Sequence, residues 1–338
     1  MVKLNIDLPE SFFREEERDG YRVSTKTKEL WAVELDLLNE FDRVCKKHNL
    51  KYIIDYGTLL GAIRHKGFIP WDVDIDVSML REDYEKLETI APKEFQNPYF
   101  YQNQFTEKKY NHCITRLRRS DTTSINVRDL LYRRKCNQGI FLDIEVFDNV
   151  PTNDYNTVSS IHKRCKDISH AIGAISEPPS FGEYGTRFTF FSVLRYLFFK
   201  MRYGSVDNAW YQLRTNASKY DYSDYVCCLF SDINTWIRPR EWFMDIIRIP
   251  FENLMLPAPS AYDELLKQCY GDYMTPVVDT RMTVLYVDAG RSYKDVINED
   301  GFYEKICKEL NLDLKRLQMS NLDYLKLFSR KIRKKLHL

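Results

Sequence analysis

The sequence predicts a mixed α/β fold, a mixed sheet with flanking helices and a helical insertion. Three observations predict it. Apolar residues keep helical spacing from Thr25 to His48, and an apolar run, a glycine turn, a short helix and a β-patterned acidic stretch follow one another between Tyr52 and Val77. From residue 151 to 220 the pattern becomes helical again, broken by the Pro-Pro-Ser-Phe-Gly stretch after Glu177. With 338 residues there is ample material for a core, in one large domain with additions or two small ones.

Residues 1–22 are charged and irregular, an arm expected to lie over the body. In the first helix, Leu30, Val33, Leu37, Leu38, Phe41 and Val44 form the apolar face that should pack on the sheet. The run Tyr52 to Ile54 then reads as a strand, Gly57-Thr58 as a strand-to-helix turn, and Leu59, Leu60 and Ile63 as the start of a helix. A glycine in such a turn lets backbone N–H groups approach a phosphate, and the helix N-terminus adds a positive dipole end. Sixteen residues after Thr58, Asp74 sits between Asp72 and Asp76, with Val73, Ile75 and Val77 alternating between the acids. On a strand from Asp72 to Val77 all three carboxylates leave one face, about 6.6 Å apart, and repel one another unless a cation compensates them. Mg²⁺ or Mn²⁺ takes oxygen ligands and commonly uses one or two carboxylates plus substrate phosphates. A phosphate seat beside a metal seat points to phosphoryl or nucleotidyl transfer. A lone Asp-x-Asp or a lone Gly-Thr would carry little weight; Trp71, Arg64, His65 and Lys66 around and between them make the combination specific.

The segment from Asp55 to Asp76, DYGTLLGAIRHKGFIPWDVDID, resembles the signature of the LicD family, which includes bacterial phosphocholine transferases and is related to fukutin and fukutin-related protein. That family is similar to the DNA polymerase β-like nucleotidyltransferases. The fold's pattern of glycine, small hydroxyl and Asp-x-Asp falls here on Gly57, Thr58, Asp74 and Asp76. Family members often carry Asp where this chain has Val73, on the opposite face.

Further along, the helix after Ser78 matches the family at Arg81, Asp83, Tyr84 and Leu87, of which Tyr84 and Leu87 should cover the sheet. Pro92 and Pro98 are expected to bracket a loop leading to a strand at Tyr99 to Gln102. A strand within Cys113 to Thr123 places Arg116 and Arg118 on one face, and a fixed guanidinium suits diphosphate oxygens. The family commonly has a basic residue at Arg116, whereas Arg118 also reads as a solvated strand edge. Gly139 to Asp148, GIFLDIEVFD, resembles the family's second acidic strand. Alternation puts Phe141, Asp143, Glu145 and Phe147 on one side and Leu142, Ile144 and Val146 on the other. A carboxylate in so apolar a strand needs compensation, so Asp143 is the third acid, a metal ligand or the base for an acceptor hydroxyl. Glu145 and Val146 replace the aromatic and proline common in the family.

Helices are expected over 153–175 and 187–203, with Phe188 to Phe199 read as core and not as a membrane contact. Short apolar runs between Tyr225 and Phe251 read as strands. Pro250 to Pro276 resembles the family's closing motif, with a helix from Ala261 to Cys269 capped by Ser260 and a plug at Tyr270 to Met274. Arg281 follows, without the histidine that bacterial members often have there. The last stretch, Leu322 to Leu338, reads either as a basic amphipathic helix on an anionic membrane or as a disordered tail.

The resulting division is an arm over 1–23, a nucleotidyltransferase-fold catalytic domain over 24–290 (core 50–150, helical insertion 151–220, closing motif 250–276) and a basic C-terminal tail over 291–338. Fifty basic against 49 acidic residues argue against a nucleic-acid partner held by bulk charge. Eight scattered cysteines without a C-x-x-C pair and no apolar leader suit a reduced, cytoplasmic setting, peripheral to the inner face of the cytoplasmic membrane. The resemblance implies transfer of a phospho-alcohol, phosphocholine-like, from a CDP-activated donor to a sugar hydroxyl of a glycan or lipid-linked oligosaccharide. Asp74, Asp76 and Asp143 would be catalytic and hold Mg²⁺ or Mn²⁺, with Asp72 supporting them. Gly57, Thr58, Arg64 and Arg116 would bind the nucleotide phosphates. Two rival readings are a nucleotidyltransferase moving NMP and a non-enzymatic cell-envelope assembly scaffold.

Overall fold

The computed structural model describes residues 1–108, 110–126, 136–177, 190–230, 236–278 and 285–309. The arm forms a small hairpin, β1 (Glu16–Arg18) with β2 (Tyr21–Val23), and packs Val2, Leu4, Ile6, Leu8 and Phe12 on the body. Ser24 then caps α1 (Thr25–Lys47) by accepting a hydrogen bond from the Thr27 N–H at 3.2 Å. The six apolar residues expected on its inner face are all buried, together with Ile53, Val77, Leu142 and Ile144.

Next come β3 (Ile53–Ile54), α2 (Tyr56–Arg64), β4 (Asp76–Leu80), α3 (Arg81–Glu94), β5 (Tyr99–Gln102), β6 (Thr115–Arg119), β7 (Thr123–Asn126) and β8 (Ile140–Val150). The helical insertion follows as α4 (Tyr155–Ser176), α5 (Phe190–Tyr203) and α6 (Val206–Ala217). The chain returns through β9 (Tyr225–Cys228), β10 (Ile237–Pro239), β11 (Ile246–Phe251), β12 (Leu254–Pro259) and α7 (Tyr262–Tyr270). Its last described elements are β13 (Leu285–Asp288), α8 (Tyr293–Ile297) and α9 (Phe302–Glu309).

Strand β8 is the axis of a seven-stranded mixed sheet. β4 runs parallel along one edge, from Asp76 opposite Asp143 to Leu80 opposite Phe147. The other edge is shared end to end by β6, antiparallel to Ile140–Ile144, and β9, antiparallel to Phe147–Val150. β3, β5 and β10 extend the sheet outward. β11 with β12, and β7 with β13, form separate two-stranded sheets. The alternation of β8 is realised: Leu142, Ile144 and Val146 enter the main core, while the Arg116 guanidinium lies over the Phe141 ring on the other face. A second core joins α4 and α6 to Val150, Cys227 and Leu229.

Several expectations are corrected. The acidic stretch is a strand only from Asp76 onward; residues 72–75 are extended without ladder pairing, apart from the Asp143 N–H donating to the Ile75 carbonyl at 3.0 Å. Pro92 lies inside α3, where its missing N–H falls in the last turn. Ser260 does not cap α7, because its hydroxyl turns to Asp245 and the residue before the helix is Ala261. Helix α6 lies within the stretch expected to be a helical insertion, 151–220, but was not singled out as an element of its own. Within Phe188 to Phe199, Leu194, Leu197 and Phe198 point outward instead of into the core, as does Met201 just beyond. Arg281 and the Leu322 to Leu338 tail lie outside the described residues. No described helix is long and apolar enough to cross a membrane.

Candidate functional site

Two separated pieces of sequence meet at the C-terminal side of the Pro70-Trp71 turn. The parallel register sets Asp76 beside Asp143, and Ser78 beside Glu145, on rungs about 4.8 Å apart, so both acids of β8 share a face with Asp76. Burial pushes the Asp76 carboxyl well up, and Asp74, Asp143, Glu145 and Asp72 add to it. Burial also raises Asp74, partly offset by a hydrogen bond from Asp72 and by Arg116. Asp72 is likewise raised well above the usual carboxylate range, by burial and then by Asp74. The three acids of the row and Asp143 thus influence one another electrostatically.

The glycine turn is welded to this unit. Thr58 Oγ1 accepts a hydrogen bond from the Asp76 N–H at 2.8 Å, and a Cβ on Gly57 would lie 2.5 Å from Asp72 Oδ2. Gly57 thus makes room for a carboxylate over the first turn of α2, whose dipole favours negative charge there. Asp55 caps α2, accepting from the Tyr56 N–H at 2.8 Å and from the Ser78 hydroxyl at 2.5 Å. Its cationic partner is the fully buried Arg238 of β10, whose Nη1 donates to Asp55 Oδ2 at 2.5 Å while the guanidinium lies over Phe147 and Tyr56.

Arg116 reaches the acids: Nε donates to Asp143 Oδ1 at 2.6 Å and Nη2 to Oδ2 at 3.4 Å. Arg118, on the same face, is not a solvated edge; it is buried, donating to Gln102 and, at 2.5 Å, to the Gly139 carbonyl. Arg64 is turned to the closing segment, donating from Nη1 to the Tyr273 carbonyl at 2.9 Å. That contact holds the expected plug, and Tyr270 of the plug has its phenol raised by burial, with Asp55, Asp76 and Asp72 contributing. Glu252 of the closing motif accepts from the Phe68 N–H at 3.2 Å and from Arg18 at 2.7 Å, and a Cβ on Gly67 would lie 2.0 Å from its Oε1.

Two functional candidates were not singled out from sequence. Glu34 of α1 is buried with Oε2 unpaired, and burial, then Asp74 and Asp72, push its carboxyl well up. Its signal was present: it stands four residues after Leu30 and four before Leu38, a carboxylate in an apolar stripe. The other is Asp55 with Arg238, for which spacing gives no signal. Glu145, already placed on the Asp143 face, accepts from the Cys228 thiol at 3.0 Å; burial raises its carboxyl to about 7, the thiol opposes this, and Asp143 and Asp55 add to it.

The donors gathered here are all carboxylate oxygens, which suits a hard divalent ion. Among the described residues no three acidic, histidine or cysteine side chains are already grouped as a metal cage. Asp143 pairs with Arg116, whose charge also reaches Asp74, while Asp74 and Asp76 themselves form no ion pair among the described residues.

Residues 49–169 match the family model described as LicD/FKTN/FKRP, nucleotidyltransferase domain. The chain carries a LicD-family domain. The match begins just before β3 and ends within α4, so it contains the turn, the acidic row, Arg116 and Asp143. The chain is 28% identical over 253 residues to the lipopolysaccharide cholinephosphotransferase LicD of Haemophilus influenzae, covering 73% of this chain and 91% of that protein. An uncharacterised protein of Rickettsia prowazekii is 38% identical over 100 residues, 29% of this chain and 35% of its own length. One of Rickettsia typhi is 40% identical over 74 residues, 22% of this chain and 23% of its own length.

Proposed function

We propose that this protein is a metal-dependent LicD-type transferase that moves phosphocholine, or a related phospho-alcohol, from a CDP-activated donor to a sugar hydroxyl of a cell-surface glycan or its lipid-linked precursor. The observation that carries the reading is the parallel register of β4 and β8, which joins Asp74 and Asp76 to Asp143 beside the first turn of α2. The similarity to a lipopolysaccharide cholinephosphotransferase along nearly all of its length supports the transferred group and the acceptor class.

In this reading Asp74 and Asp76 hold Mg²⁺ or Mn²⁺, which when bound supplies charge neutralisation to the donor's diphosphate. The acceptor oxygen forms a bond to the phosphorus bearing the alcohol, the anhydride bond to CMP breaks, and the hydroxyl proton passes to a carboxylate. In this reading Asp143 is the base, and Arg116, over the Phe141 ring and bonded to Asp143, brings its positive charge to the phosphoryl oxygens. Thr58 holds the Asp76 backbone, Gly57 leaves space for Asp72, and Arg64 keeps the Tyr273 segment closed over the site.

Incubation of the purified protein with CDP-choline, Mg²⁺ and a lipopolysaccharide acceptor should release CMP and add phosphocholine to the glycan. Asp74→Asn and Asp76→Asn should each lower that rate by on the order of a thousandfold or more, as loss of a charge-stabilising group does. Release of pyrophosphate instead of CMP would identify an NMP transferase, and an unchanged glycan with full-strength protein would favour the scaffold.

A further inference from the structure

Helix α5 carries apolar residues on two sides. Phe199 and Tyr203 turn inward against the second core. Leu194, Leu197, Phe198 and Met201, at i, i+3, i+4 and i+7, form a second stripe that faces solvent, with 46%, 47%, 52% and 80% of their surfaces exposed. Water-facing stripes of this size are uncommon on monomers and mark an interaction surface.

The charges beside the stripe say what kind. Arg195 and Arg202, seven apart and so in one row, lie over the Phe199 and Tyr203 rings at 5.8 and 5.5 Å. Lys200 is exposed on the same helix, and α5 contains no acid. An open cleft alongside, between α4, α5 and α6, is walled by Lys163 and Arg164 of α4 as well as by Arg195 and Arg202, against one acid, Asp167. An apolar ridge flanked by cations on long stems is the pattern of a helix that lies in a membrane interface, its ridge among the acyl chains and its cations on lipid phosphates.

We propose that this face of the helical insertion docks the protein on an anionic lipid bilayer, with α5 lying along the surface. The inference is independent of the transferase reading, because lipid binding requires neither donor nor metal. It replaces the expectation that this apolar run is core, and it assigns membrane contact to the middle of the chain.

The test is sedimentation of the full chain with phosphatidylcholine vesicles, with and without phosphatidylglycerol. The protein should co-sediment only when phosphatidylglycerol is present, and the bound fraction should fall as salt rises. Leu197→Glu/Met201→Glu should weaken partitioning at least about tenfold, and Arg195→Gln/Arg202→Gln should remove most of the preference for phosphatidylglycerol. All four side chains are at the surface, so both variants should keep the far-ultraviolet dichroism of the parent. Three results would overturn the proposal. One is no binding to either vesicle. Another is binding unchanged in the α5 variants but lost in Lys334→Gln/Lys335→Gln, which would give the membrane to the tail. The third is a dimer that Leu197→Glu/Met201→Glu converts to monomer, which would make the ridge a contact between copies of this chain.

Discussion

Glu145 shows what a single side chain does in this site. With its carboxyl raised to about 7, the folded protein holds a proton there that the unfolded chain releases near the ordinary value of 4.5. Stability from this group is therefore full below that ordinary value and is lost as pH rises toward 7, because the folded state binds the extra proton. Glu145→Gln keeps an acceptor for the Cys228 thiol and removes the titration. It should raise stability at pH 8 by about 3 kcal/mol at most in a urea titration, and leave it unchanged at pH 4. Arg238 tests the opposite case, a buried cation with a designated partner. Arg238→Met strands the Asp55 carboxylate among Phe147 and Tyr56, and should lower stability by about 3–5 kcal/mol in a urea titration. At this scale the sequence revealed the acids by type and alternation. It hid Arg238, because the ion pair joins residues 183 positions apart and nothing in local spacing encodes so distant a partner. It also held Glu34 in plain view, as a carboxylate on a stripe otherwise read only for its apolar members.

The elements around the site depend on glycine contacts that are tighter than the motif suggests. Gly61 of α2 faces the carbonyl of Gly67, and a Cβ there would lie 2.4 Å from that oxygen. Since the obstacle is backbone, Gly61→Ala must push α2 away from the 66–68 loop. The expected loss is about 1–3 kcal/mol, read from thermal unfolding, together with lower activity because α2 carries Thr58. The strand and helix types of this region were legible because each has a clear period: two in β8, and 3.6 in α1. Helix α6 was not, since two of its four buried positions, Ala209 and Ala217, are alanine and mark no period. For α5 the period was visible but its direction was not, as apolar residues line both sides and only packing decides which side is covered. The acidic strand was read four residues too long, because alternation persists through 72–75 although ladder pairing does not.

At the scale of the molecule, the helical insertion packs into a second hydrophobic cluster that takes in Val150 and Cys227 of the sheet, and polar contacts add to the junction. Arg214 of α6 bonds Glu88 and Glu85 of α3 at 2.8 and 3.0 Å, and Cys113 meets Ser169 at 3.0 Å. Leu213→Ala, in the second core, should cost about 2–5 kcal/mol locally. Hydrogen exchange should then quicken in α4 and α6 while β4 and β8 keep their protection. The mixed α/β class followed from the order of periodic segments. The parallel pairing of β4 with β8 did not, because a strand's partner and direction depend on crossovers that sequence spacing does not fix.

Residues near the end of the fold complete its beginning: Arg238 neutralises Asp55, and Glu252 fastens the Gly67 loop together with Arg18. During synthesis the Asp55 and Gly67 segments leave the ribosome nearly two hundred residues before those partners exist. The nascent polypeptide can build α1 and its early strands in that interval, but Asp55 and the Gly67 loop wait for their partners. The contacts that fix Asp55 and the Gly67 loop thus form late, only after residue 252 has emerged.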